Sequence, residues 1–151
     1  MQDAKALFQR GRCFPLSHPM GEGRGEGGGN RNPGRNDFFT MTRHLTLSAS
    51  PIDEAALVAQ RRVSAGMGAA IYFAGIVRGS EEGAAIAAID YEAFQKMVER
   101  QFGLIFDEME RRWPLESVRL VHRLGVVAVG EASLWVEVVA PHRGEAFAAC
   151  Q

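Results

Sequence analysis

The first regular pattern is His44-Leu-Thr-Leu-Ser48, where apolar and polar residues alternate at a period of two and predict a short, half-buried strand. Ser50-Pro-Ile-Asp53 follows with an N-cap serine, a proline at the first helical position and an early acid. These residues predict a helix over 52–63 that offers Ala55, Ala56, Leu57 and Ala59 for burial and stops at Gly66 and Gly68. The run Ala69-Ala-Ile-Tyr-Phe-Ala-Gly-Ile-Val77 is apolar on both faces and predicts a central strand with Phe73 in the core. After a turn at Gly79-Ser-Glu-Glu-Gly83, whose Glu81 and Glu82 are expected to be solvated, residues 86–93 predict another strand.

Phe94, Val98, Phe102, Ile105, Met109 and Trp113 recur every three to four residues and predict a long helix ended by Pro114, with Asp107 and Glu110 facing solvent. Arg61-Arg62 and Arg111-Arg112 are expected near helix C-termini, where positive charge complements the dipole. Residues 118–121 and 134–139 predict two more strands, with Trp135 and Tyr91 as packing residues. The segment from Pro141 begins as a helix, with little face to pack before Gln151. The order β-α-β-β-α-β-β mixes short turns with helical connections, which predicts an α+β fold with a mixed sheet and two main helices.

Composition divides the chain. Residues 1–40 hold 8 of the 17 glycines, and a run without apolar side chains at 21–29 predicts a disordered extension. Residues 41–151 form the expected domain, with Met41 as a candidate native start. Overall, 17 Lys+Arg against 18 Asp+Glu exclude a strongly basic nucleic-acid binder. The longest nearly apolar run, 67–77, falls short of the roughly 18 residues expected for a membrane helix, and the first 20 residues lack a secretory apolar region. A cytoplasmic protein without a membrane or nucleic-acid partner is expected. Cys13 and Cys150 bracket no core and have no metal-ligand spacing, so neither a disulfide nor a metal site is expected.

The remaining chemistry lies in cations. Arg78 ends the apolar run in a Gly-Ile-Val-Arg-Gly setting, where a guanidinium and nearby amides suit an anion, although on spacing alone a solvated arginine starting a loop is the more ordinary reading. His142 and Arg143 sit at a strand-to-helix junction, where the helix dipole disfavours positive charge unless an anion joins it. His122-Arg123 repeats the dipeptide before Leu124-Gly125, and there packing beside the sheet is the expected role. No P-loop, dinucleotide-binding glycine pattern, nucleophile elbow or HExxH sequence is present.

Taken in order, Phe73-Ala-Gly-Ile-Val-Arg-Gly79, Tyr91-Glu-Ala-Phe-Gln-Lys-Met97, Arg112-Trp-Pro-Leu115, Val121-His-Arg-Leu-Gly125 and Ala140-Pro-His-Arg-Gly-Glu-Ala-Phe147 resemble the large, catalytic subunit of molybdopterin synthase over residues 43–151. The resemblance implies an α/β-hammerhead fold and sulfur transfer to cyclic pyranopterin monophosphate, forming the molybdopterin dithiolene during molybdenum cofactor biosynthesis. It also implies a small ubiquitin-like partner that delivers sulfur as a C-terminal Gly-Gly thiocarboxylate, and a central homodimer with one small subunit at each end. No cofactor or metal is implied.

Carried over position by position, the resemblance makes Arg78, His142 and Arg143 substrate-binding residues, the His-Arg pair reaching across the dimer. Ile76, a lysine in some members, and Val77 contribute mainly backbone. The family's catalytic lysines follow the His-Arg motif, whereas Lys5 and Lys96 are the only lysines here, so no catalytic residue is assigned. The C-terminus is expected to be incomplete and a 151-residue polypeptide inactive or severely impaired; full sulfur transfer from a loaded small subunit would overturn that expectation. Two rival roles remain open: a noncatalytic subunit that binds the small sulfur carrier or a complete large subunit, and a phosphate-binding regulatory module.

Overall fold

A computed structural model describes residues 40–81 and 83–151 of the chain; the reading of the glycine-rich arm and of Glu82 falls outside them. Strand β1 (Thr42–Ser48) runs parallel to β6 (Ser117–Arg123), which is antiparallel to β8 (Ala132–Ala140), and β8 is antiparallel to β2 (Ala69–Ile76). The order β1-β6-β8-β2 is therefore a mixed four-stranded sheet. Two small antiparallel pairs accompany it: β3 (Ser80–Glu81) with β4 (Ala84–Ala85), and β5 (Ala88–Tyr91) with β7 (Gly125–Ala128). The expected α+β class holds, with three helices among the described residues: α1 (Glu54–Ala59), α2 (Gln95–Arg112) and α3 (Arg143–Cys150).

The apolar run at 69–77 is an edge strand rather than a central one, and Phe73 is half exposed rather than core. No residue of β2 is fully buried, and an apolar run carries no information about which edges of a strand are paired. The first helix is shorter than predicted. Asp53 caps it in place of Ser50, its carboxylate accepting from the Ala56 N–H at 2.9 Å, and Gln60 ends it before the glycines are reached.

Helices α2 and α3 build one face of the core, where Phe106, Met109 and Ala146 join Met41, Leu115, Val118, Val138 and Ala140. The stripe of α2 runs through Phe106 rather than Ile105, which is half exposed, and Phe94 is exposed as well. From Phe102, a step of four stays on the face that a step of three begins to leave. The short C-terminal helix packs better than its length suggested: Ala146 is fully buried and Ala149 and Cys150 pack against the core. Burial pushes the Cys150 thiol pKa up, so the thiol stays protonated and a poor nucleophile at neutral pH.

Asp107 is exposed as expected, whereas Glu110 is partly buried, and both tie α2 to β1. Glu110 accepts from the Met41 N–H at 2.8 Å and from Arg43, while Arg43 also reaches Asp107 at 2.6 Å. The Met41 amide first, and the Arg43 guanidinium second, hold the Glu110 carboxyl below its usual range. A depressed carboxylate contributes stability above its unfolded-state pKa and loses it as pH falls through the folded-state value. Stability is therefore expected to fall on acidification below about pH 5. Glu110→Gln should lower stability at pH 7 and flatten that acid limb in urea titrations; an unchanged slope would remove Glu110 from the linkage.

Candidate anion-binding site at the ends of the β2–β8 ladder

Arg78 is placed by the residues before it. Val77 is buried, its N–H donating to the Glu131 carbonyl (3.0 Å) and its carbonyl accepting from the Gly130 N–H (2.8 Å). Gly130 makes the turn into β8 at φ +85°, a conformation that L side chains rarely adopt. The Glu131 carboxylate closes the turn, accepting from the Ala128 N–H at 3.0 Å and from Arg123 at 2.8 Å. Those two donors hold its pKa below the ordinary glutamate range. Arg123 is thus a largely buried support of the β7–β8 turn, a role that its dipeptide with His122 did not reveal. His122 packs against Tyr91, edge to face at 5.2 Å, as the packing reading expected.

Beyond this clamp the Arg78 side chain is 75% exposed, with one guanidinium nitrogen 3.3 Å from Glu81. Glu81 is thereby an ion-pair partner rather than a merely solvated charge. Ile76 is half exposed beside a register shift in β2, and Val77 contributes through its backbone. At the other end of β8, His142 occupies the N-cap position of α3 with extended backbone and no side-chain capping bond, and Arg143 is the first helical residue. Both are exposed. Gly68 fixes this junction: its N–H donates to the Pro141 carbonyl at 3.0 Å, and a Cβ there would lie 2.7 Å from that oxygen.

The register separates the two cationic groups within one chain. Ala69 faces Ala140 and Ile76 faces Ala132, so Arg78, past Ile76, and the His142-Arg143 pair, past Ala140, stand beyond opposite ends of a ladder that itself spans about 23 Å at the usual rise per residue. Between them runs the outer edge of β2, which no other described strand pairs. Tyr72, Phe73 and Ile76 along it are each at least half exposed, as is Phe147 of α3. Sequence reading missed this edge because it placed β2 inside the sheet.

A family profile described as MoaE protein matches residues 47–151. This chain belongs to the MoaE family. It is 32% identical over 155 residues to the human molybdopterin synthase catalytic subunit, covering 99% of this chain and 78% of that protein. Against the Drosophila willistoni protein of the same name, identity is 37% over 101 residues, covering 66% of this chain but only 27% of that protein. Among solved structures, molybdopterin cofactor biosynthesis protein E from Burkholderia multivorans aligns with a TM-score of 0.62 at 33% identity, covering 74% of this chain and 72% of that one. A chain from a complex of subunits 1 and 2 of the Helicobacter pylori molybdopterin-converting factor shares the fold, with a TM-score of 0.56 at 19% identity over 70% of this chain and 71% of that one.

Among the described residues no three His, Cys, Asp or Glu side chains are grouped as metal ligands, and no helix is long and apolar enough to cross a membrane. What this MoaE chain presents is a pair of cationic ends, Arg78 and His142-Arg143. Exposed guanidinium and imidazole groups of this kind hold phosphate and stabilise developing negative charge.

Proposed function

We propose that this chain is the catalytic-subunit component of molybdopterin synthase, acting in the cytoplasm in molybdenum cofactor biosynthesis. Sulfur passes from the C-terminal Gly-Gly thiocarboxylate of a small ubiquitin-like partner to cyclic pyranopterin monophosphate. Arg78, His142 and Arg143 bind the substrate phosphate, with the Ile76–Val77 backbone beside them. The name shared by the relatives supports the activity, and the Helicobacter pylori complex is a precedent for a two-subunit assembly.

The observation that carries the reading is the open, apolar edge of β2 between the two cationic ends. Antiparallel pairing of two copies along this edge, about a two-fold axis near Phe73, sets Arg78 of one copy opposite Gly68 of the other. Gly68 is hydrogen-bonded to Pro141, the residue before His142 and Arg143. The homodimer thus assembles two composite anion sites, each drawing from both copies.

The test is calorimetric titration with cyclic pyranopterin monophosphate. Arg78→Ala and Arg143→Ala are each expected to weaken binding about 10- to 100-fold, the usual worth of a hydrogen bond to a charged group. Unchanged affinity in either variant would remove that residue from the site. The alternative reading is a noncatalytic subunit that binds the small sulfur carrier or a complete large subunit. Binding of the small subunit and substrate without turnover would support that alternative.

A further inference from the structure

On the face of the sheet opposite α2, a cleft of about 510 Å³ lies between α1 and the β1–β6 strand pair. None of Arg78, His142 or Arg143 lines it. We infer that this cleft binds a small ligand bearing a phosphate or carboxylate group, independently of the site proposed above.

The inference rests on which polar groups of the cleft are already engaged. Glu137 is 1% exposed and has one oxygen on Arg61 (2.6 Å) and the other on Arg119 (2.6 Å). Both Glu116 oxygens accept from Ser64. The acids lining the cleft are therefore hydrogen-bonded, while its basic side chains retain free donors. Arg62 and His44 have no ion-pair or hydrogen-bond partner among the described residues, and Arg119 donates through Nε and Nη2, leaving Nη1 unengaged.

The β1–β6 register gathers these donors. His44 faces Arg119 and Thr46 faces Val121 across neighbouring parallel strands, so their side chains share one face about 4.8 Å apart. Arg62 and Gln60 enter from the segment after α1, and Leu57 with Val121 supplies apolar wall for the carbon part of a ligand. A cleft of this size with a few convergent donors on an apolar wall has the usual form of a small-molecule site. Glu137 is matched by two guanidinium groups and Glu116 is held by Ser64, so the free donors of Arg62, Arg119 and His44 are what the cleft offers, and their complement is an oxyanion.

The experiment uses the full chain carrying Arg78→Ala and Arg143→Ala, so that the other anion site does not contribute. Inorganic phosphate and citrate are titrated separately by calorimetry. Saturable binding of at least one below about 10 mM, weakened about tenfold by adding Arg62→Ala or His44→Ala, is the expected result. The ion that binds distinguishes a phosphorylated from a carboxylated ligand. Both added substitutions are at exposed residues, so the melting temperature should hold and a loss of binding can be read as a loss of contact. Absence of saturable binding by either ion, or binding indifferent to both added substitutions, overturns the inference. A failure here leaves the Arg78 site untouched, because that site is already disabled in the background.

Discussion

Replacing Glu137 with alanine is expected to destabilise the fold by about 3–5 kcal/mol, as removal of one partner from a buried ion pair does. Glu137 lies in the middle of β8 with 1% of its side chain exposed, bound by Arg61 from the segment after α1 and Arg119 from β6. Arg119 also donates to the Leu57 carbonyl at 2.7 Å and lies over the Trp135 ring at 5.0 Å. The carboxylate thus holds together the only described helix on its face of the sheet and the strands beneath. Its loss leaves two guanidinium groups, both mostly buried, without their counter-ion.

Domains of this size are stable by roughly 5–15 kcal/mol, so such a loss is a large part of the whole. Urea unfolding followed by circular dichroism measures it. Exchanging Glu137, Arg61 and Arg119 together for apolar residues of similar volume is expected to restore most of the loss, because no buried charge remains. If Glu137→Ala costs less than about 1 kcal/mol, the three side chains behave as a solvated surface pair rather than as a buried one.

The same network explains part of what sequence reading missed. Glu137 shares a face of β8 with Trp135 and Val139, and alternation alone carries no sign that a carboxylate there is paired and buried, yet α1 and Arg61 close over it. Arg61 was assigned to a helix dipole because α1 was drawn too long. Once the helix ends at Gln60, Arg61 turns inward to a carboxylate 76 residues away, and a separation that large leaves no local signal. The partial burial of Glu110 was missed for the same reason, since its partners are Met41 and Arg43, far away in sequence.

Elements with strong local signals were legible: the long α2, ended before Pro114, the β8 alternation and the α+β class all follow from period and caps. The candidate site was legible as residue types at two strand ends, Arg78 and His142-Arg143. Their separation along one ladder was not, because it depends on β2 and β8 pairing antiparallel from Ala69–Ala140 to Ile76–Ala132, a fact about register rather than pattern.

That separation leads to the second large effect, a complementation between defective copies. Arg78→Ala and Arg143→Ala proteins are each expected to bind substrate about 10- to 100-fold more weakly, so that most of their sites stay empty at a concentration that just saturates the unsubstituted chain. Composite sites make the defects separable: in a dimer of one copy of each variant, one of the two sites carries both substitutions and the other carries neither. Random reassortment of an equal mixture places about half of the dimers in the mixed form, and so restores about one quarter of the original sites.

Titrating cyclic pyranopterin monophosphate into the reassorted mixture measures the number of restored sites directly, and requires no turnover. The affinity of those sites should equal that of the unsubstituted protein, since each is chemically intact. A site built from one chain gives the opposite result, no recovery at any ratio, because every site then keeps one of the two defects. Charged substitutions at Tyr72 and Phe73, exposed on the proposed pairing edge, provide the control: they should abolish both dimer formation and recovery while leaving each chain folded.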